Sequence, residues 1–370
     1  MAGQPRYAIQ IGAVDAEGAS DQQMYGEAII DAKLAQALGY NAAWIVEHHF
    51  SDYYPTPNPL LMLSHLAAAC PGLGLGTAVM VLPWYDPVRF AEDVAMLATL
   101  AEGELHIGMG RGTARLEYDA LRVPMHEARD RFLECWEVTK LALEGRPFTY
   151  QGRFVKLERA ITVRPILDKA KMPQFYGAIG SPESAEIMGR LGLAPLSLSQ
   201  FPDYMLQKIL ARWRQKAAEN GHATQVTFPV STKCFIADTD AAAREEARHH
   251  LAHFYKLQAE HYTTDTTPWG DIKGYEQFAK IFGNMKLMGD PAKIDPILDR
   301  SLVGSPETVA RRIAELRALG FDYFLVSNAT HGVPREVRHR MMRRFAQEVV
   351  PLVAKLPIPQ APAVRVRAAE

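Results

Sequence analysis

A (β/α)8 TIM barrel, an α/β fold, is what the sequence predicts, on three observations. Short β-rich runs alternate with longer helical patterns from one end of the chain to the other, as in a parallel sheet built from βαβ units. Eight strands can be counted, each followed by helix, in 370 residues, a length normal for a barrel with insertions. No linker-like shift in composition divides the chain, so residues 1–357 read as a single domain and residues 358–370 as a C-terminal tail. An open doubly wound sheet is the runner-up, since its strands look much the same in sequence.

The elements follow in order. Tyr7–Gly12 reads as the first strand and Gly26–Leu38 as an amphipathic helix, with Gly39 in the position where a C′ glycine is expected. Ala42–Val46 is a strand, followed by a Pro/Asn loop from Pro55 to Pro59 and an apolar helix through Cys70. Gly74–Leu82 is the third strand, Val88–Leu100 a helix and Leu105–Met109 the fourth strand. Between Phe148 and Leu157 the residues alternate around Gln151-Gly152, which predicts a small hairpin inserted between units. Pro173–Ile179, Ala194–Leu198, Phe228–Ala237 and Tyr323–Ser327 complete the strands. Helices are expected over Pro182–Leu191, Asp203–Asn220, Asp240–Tyr255, Pro306–Leu319 and Glu336–Val350. The segment Gln258–Arg300 has weak periodicity and many turn residues, and long connections of that kind commonly serve as lids.

Composition narrows the function. With 41 Lys+Arg against 42 Asp+Glu the net charge is −1, and no basic run offers the electropositive stripe that nucleic acid requires. No apolar stretch approaches the ~20 residues of a membrane span, and the N-terminus lacks a basic segment before an apolar core. A cytoplasmic protein is expected. Cys70, Cys135 and Cys234 are odd in number and widely spaced, which suggests neither a disulfide framework nor a zinc knuckle.

In a barrel the chemistry lies at the C-terminal strand ends. Three such ends carry candidate residues. WIVEHHF, Trp44 to Phe50, ends the second strand; alternation puts Glu47 and His49 on one face and His48 on the other. His48 is a candidate acid, base or hydrogen-bond donor. A metal site built on Glu47, His48 and His49 is not expected, because adjacent side chains diverge and no HExxH motif accompanies them. GMGRGTAR, Gly108 to Arg115, follows the fourth strand, and its alternate glycines permit close approach while Arg111 has the planar fork suited to phosphate. GAIGSPES, Gly177 to Ser184, runs into a helix with Ser181 at the N-cap and Pro182 at N1, a ready anion site. GSPETV, Gly304 to Val309, has the same cap chemistry, and one of the two caps is expected to be structural.

WIVEHHF, the stretch from Gly76 to Leu100, LHIGMGRG and GSPESAEIMGRLGLAPL together resemble the bacterial luciferase-like flavin monooxygenases, in the family's motif order over about 340 residues. The resemblance implies a luciferase-like TIM barrel that uses reduced FMN as cosubstrate to activate O2 and oxygenate a small organic substrate. It implies an NAD(P)H:flavin reductase as partner and a homodimer. His48 matches the family's active-site histidine, and Arg111 the arginine that pairs with the FMN phosphate. Thr113 falls where a backbone N–H adds to that contact, and Ser181 with Ser184 at the helix start that completes the cradle. Ala78 and Val79 correspond to a non-proline cis peptide beneath the flavin ring. Gly110 stands where luciferase has a cysteine beside the ring, and Gly180 where it has an acidic residue, so light emission is not implied. Trp84 and Tyr85 offer aromatic walls for a substrate pocket that Glu47 and Met109 complete. Hydride transfer with the deazaflavin F420 is the alternative within the superfamily. A metal-dependent barrel hydrolase and a non-catalytic flavin-binding protein are the readings outside that chemistry.

Overall fold

The structure is a computed structural model that describes residues 4–262, 275 and 286–360. Eight parallel strands close on themselves: β1 (Arg6–Gln10), β2 (Ala42–Ile45), β3 (Gly74–Val81), β4 (Leu105–Gly110), β7 (Gln174–Ala178), β8 (Ala194–Leu198), β9 (Pro229–Ile236) and β11 (Tyr323–Ser327). Strands β8 and β9 pair at Ser197–Val230 and β11 pairs with β1 at Tyr7–Phe324, so no edge remains and the open-sheet alternative falls. The inserted hairpin is β5 (Phe148–Gln151) with β6 (Lys156–Ile161). One strand was not expected: β10 (Leu302–Gly304) lies beside β9, with Leu302 opposite Cys234.

The helices bury their apolar faces on the barrel. α1 (Asp21–Ala37) begins with a capping box between Ser20 and Gln23. α2 (Pro59–Ala69), α3 (Pro87–Leu100), α4 (Arg115–Ala120) and α5 (Ala128–Leu143) follow. α6 (Pro182–Leu191), α7 (Asp203–Glu219) and α8 (Asp240–Tyr262) succeed them, and α8 runs seven residues past its expected end at Tyr255. The stretch expected as a lid therefore begins inside α8. Its portions 263–274 and 276–285 lie outside the described residues. The helix expected over Glu336–Val350 is an α-helix over Arg335–Arg344 that passes into a π-helical turn over Phe345–Val349.

Strand alternation divides the core. Odd residues of β4, namely Leu105, Ile107 and Met109, join the layer between barrel and helices, while Ala8, Trp44, Tyr176, Leu196, Tyr323 and Leu325 fill the lumen. Trp44 stacks on the buried His106 ring at 5.2 Å and meets Tyr323 edge-on. Each such ring contributes about 2–3 kcal/mol by area removed from water. A side chain at Gly76 would reach within 2.4 Å of the Trp44 indole, so only glycine fits there. This layer plugs the N-terminal end and leaves the C-terminal mouth for polar groups. The first helix is joined to the helix Arg335–Arg344 by Arg338, which is buried and pairs with Asp31 at 2.9 Å and Glu27 at 2.6 Å.

Candidate active site

Strand β2 continues as extended chain through Glu47, His48 and His49, and the alternation sends them apart as expected. Glu47 is buried; it accepts from the Val81 N–H and the Tyr85 hydroxyl, each at 2.7 Å, and lies 3.2 Å from His49 Nε2. Glu47 and Tyr85, expected on a pocket wall, thus commit their polar atoms to tying the end of β2 to the end of β3. Met109 is fully buried on the helix-facing side of β4 and does not line the mouth, which corrects that expectation.

His48 faces the other way. Its Nδ1 lies 3.1 Å from Glu117 Oε1 and its Nε2 lies 3.3 Å from the Tyr262 hydroxyl. Glu117, from α4, is 1% exposed and also accepts from the His49 backbone N–H at 2.8 Å. His261 Nε2 stands 3.2 Å from the same carboxylate oxygen, at ion-pair distance without an aligned hydrogen bond. The other nitrogen of His261 meets Ser51 Oγ at 2.7 Å. Burial pushes the Glu117 carboxyl up, but the two imidazoles outweigh it and hold it down at about 2. Burial pushes His48 down, against the opposing pull of Glu117. Glu117 is therefore ionised and His48 is biased toward neutrality. From that network we assign the proton to Nδ1, which leaves the Nε2 lone pair facing Tyr262. The ligand atoms of His48, Glu117 and His261 lie within 4.8 Å of one another.

The glycine motif places Arg111. A Cβ at Gly110 would come within 2.8 Å of Val79 Cγ2, and Gly112 has φ +70° with its virtual Cβ 2.7 Å from Val81. These glycines let the end of β4 press on the end of β3, where the Ala78–Val79 peptide is cis and the register slips between Thr77 and Met80. The Arg111 guanidinium covers the Tyr275 ring at 3.9 Å. Arg129, on α5, reaches Glu183 in the first turn of α6 at 3.4 Å. Burial, and then the repulsion of Arg111, bring Arg129 down to about 10. Two guanidiniums and a helix N-terminus thus converge at one rim of the mouth.

The two serine caps differ. At α6, Ser181 Oγ accepts from the Ser184 N–H at 3.2 Å, and Ser184 Oγ receives the N–H groups of Gly180 and Ser181 at 3.1 and 3.0 Å. Behind Ser305, by contrast, the Asp240 carboxylate takes the Ser305 N–H at 2.7 Å and the Thr308 hydroxyl at 2.9 Å. That second N-terminus already holds its anion and is structural. Thr113 neighbours the Tyr262 hydroxyl. Trp84 packs between His49 and Tyr118, and its buried indole N–H has no hydrogen-bond partner among the described residues.

Glu117, Arg129, His261 and Tyr262 were not picked out from sequence. Glu117 follows Arg111 by six residues on a helix too short to show periodicity, and the other three come from α5 and α8, whose approach to the mouth is tertiary.

The family described as luciferase-like monooxygenase matches residues 10–323. The protein y4vJ of Sinorhizobium fredii is 36% identical over 148 residues, 40% of this chain and 42% of its own length; the chain spans about half the length of a second protein from that organism. The alkanal monooxygenase alpha chain of the Kryptophanaron alfredi symbiont is 25% identical over 327 residues, 86% of this chain and 89% of that one. Among solved structures, the oxygenating constituent of 3,6-diketocamphane monooxygenase from Pseudomonas putida, in complex with FMN, superposes with a TM-score of 0.74. It is 19% identical and covers 96% of this chain and 100% of that one, which shows a shared fold.

Proposed function

The chain belongs to the luciferase-like monooxygenase family, and from that premise we propose that it uses reduced FMN and O2 to oxygenate a small organic substrate. The observation that carries the cofactor assignment is the convergence of Arg111 and Arg129 with the start of α6. Two cations that repel each other while partly buried fit a doubly charged phosphate, which relieves the repulsion. Arg111 and Arg129 would hold that phosphate, with Thr113, Ser181 and Ser184 around it. Ala78 and Val79 would underlie the ring, Gly110 would lie beside it, and Gly180 would precede the serine of the phosphate cradle.

When bound, reduced FMN supplies the electrons that activate dioxygen. The protein supplies placement, dryness and a proton site. Tyr53, Tyr54, Tyr262 and Trp84 wall the mouth with aromatic surface and exclude water. His48 Nε2 accepts a proton there, and the ionised Glu117 stabilises the resulting imidazolium, as a carboxylate orients a catalytic histidine elsewhere. Electrons for the flavin come in this reading from a separate NAD(P)H:flavin reductase, and the working unit is a homodimer.

Equilibrium titration of the purified protein with reduced FMN and with reduced F420, each followed anaerobically by absorbance, tests the assignment. Tight saturable binding of reduced FMN is expected. Binding of F420 in its place would convert the reading to hydride transfer.

A further inference from the structure

Three side chains that lie far apart in sequence meet at the mouth: His48 beyond the end of β2, Glu117 on α4 and His261 in the last turn of α8. Divergence of adjacent side chains argues against a metal on Glu47, His48 and His49, but this set comes from three elements and converges. Glu117 Oε1 lies 3.1 Å from His48 Nδ1 and 3.2 Å from His261 Nε2, and all three atoms lie within 4.8 Å of one another. An ion bound at about 2.0–2.2 Å holds its ligand atoms roughly 3.2–3.6 Å apart, so two of the three separations already stand close to that spacing. The two imidazoles, at 78° to each other with centroids 4.9 Å apart, are near enough to reach one ion. Such an ion needs no cavity beyond the gap between its donors.

His261 supplies a second observation. Its side chain is fully buried, and Nε2 has no aligned hydrogen-bond partner among the described residues although the carboxylate oxygen is 3.2 Å away. A buried nitrogen that close to an anion, without a hydrogen bond to it, calls for a partner, and a cation held between the two supplies one. The other nitrogen, Nδ1, meets Ser51 Oγ at 2.7 Å, and that hydroxyl oxygen accepts the Tyr53 N–H at 3.3 Å. Metal-bound histidines commonly carry an outer partner of this kind, which fixes the tautomer and the ring. Glu117 has its own outer partner in the His49 N–H at 2.8 Å. The His48 side chain keeps 14% exposure, which gives an ion its way in from the mouth.

We propose that His48 Nδ1, Glu117 Oε1 and His261 Nε2 bind one divalent first-row transition ion, with zinc well suited to two imidazoles and a carboxylate. The ion takes the Nδ1 lone pair of His48, and the proton that Nδ1 carried moves to Nε2, so the imidazole stays neutral. Nε2 then faces Tyr262 as a donor and can no longer accept a proton, and the ion acts as an inhibitor. That consequence rests on the reading of His48 as the proton site; the binding of the ion does not.

The test uses chelator-treated, flavin-free full-length protein, titrated with Zn2+ by calorimetry and with Co2+ by visible absorption. One equivalent of either ion is expected. Loss of a ligand in His261→Ala or Glu117→Gln should weaken zinc binding by more than the 10- to 100-fold typical of a lost outer partner, and Ser51→Ala should fall within that range. His261→Cys should restore the site and add a thiolate-to-Co2+ charge-transfer band, which keeps the result readable if H261A does not fold. In 15N-histidine spectra, with His48 assigned by its loss in His48→Gln, zinc should place the His48 proton on Nε2. Absence of zinc binding overturns the proposal, as does a His48 signal that zinc leaves unmoved. Undiminished binding in both H261A and E117Q also overturns it, by placing the ion on other histidines such as the exposed His249. Reduced FMN titration of the metal-free protein keeps the two readings apart: failure of FMN to bind while zinc occupies this site indicts the cofactor assignment, and intact FMN binding without a zinc site indicts this inference alone.

Discussion

The Glu117 carboxylate accepts from His48 Nδ1 at 3.1 Å and so decides which imidazole nitrogen faces the mouth. The same carboxylate receives the His49 backbone N–H, which locks the strand end that carries His48. Glu117→Gln keeps the shape and removes the charge. His48 Nε2 should then become a weaker base, with roughly a 10- to 100-fold loss in a proton-transfer-limited turnover. His48 already titrates below its ordinary value because of burial, and loss of Glu117 lowers it further. The acid limb of the pH–rate profile should therefore move to lower pH in E117Q. A rate loss with an unmoved limb would make Glu117 a packing residue only.

Arg111 and Arg129 are predicted to share one anion. Arg111→Ala should weaken reduced FMN binding by about 1.5–3 kcal/mol, or roughly 10- to 140-fold. Arg129→Ala should weaken it in the same direction, and the double variant should lose less than the sum, because each arginine is partly relieved of repulsion when the other is gone. Anaerobic fluorescence titration measures all three, and an unchanged dissociation constant for R111A removes it from the site.

Acid stability provides a second handle on Glu117. Its folded value near 2 lies below the ordinary carboxylate value, so the folded state binds fewer protons than the unfolded state between about 2 and 4.5. The stabilisation is complete above pH 4.5 and is lost as pH falls through 2, on the order of 3 kcal/mol in all. Wild type should lose stability to urea faster than E117Q over that window. Parallel acid slopes for the two proteins would contradict the assignment.

Asp240 separates the two serine caps. Asp240→Ala removes the acceptor for the Ser305 N–H and the Thr308 hydroxyl and should cost about 0.5–2 kcal/mol in chemical unfolding. Reduced FMN affinity should stay at the wild-type value. A parallel fall in FMN affinity would mean that the helix beginning at Pro306 belongs to the cofactor site after all.

Much of the barrel was legible because its strands, buried on both faces, read as short apolar runs that alternate with longer helical patterns. β10 escaped because Leu302–Gly304 has three residues, too few for any period to register, and sits next to a weakly patterned stretch. Met109 was misplaced for a local reason: it follows the glycine that faces the lumen, and one step along a strand reverses the side. The motif residues His48, Arg111 and Ser181 could be singled out from their strand ends. Their partners Glu117, Arg129 and His261 could not, since helices distant along the chain supply them.

Rapid mixing is the most direct test of the central claim. Protein preloaded anaerobically with reduced FMN is mixed with oxygenated buffer while the flavin spectrum is recorded. The account predicts protein-dependent reoxidation, slower than that of free flavin and altered in His48→Gln. Reoxidation at the rate of free flavin, identical in wild type and H48Q, would contradict it.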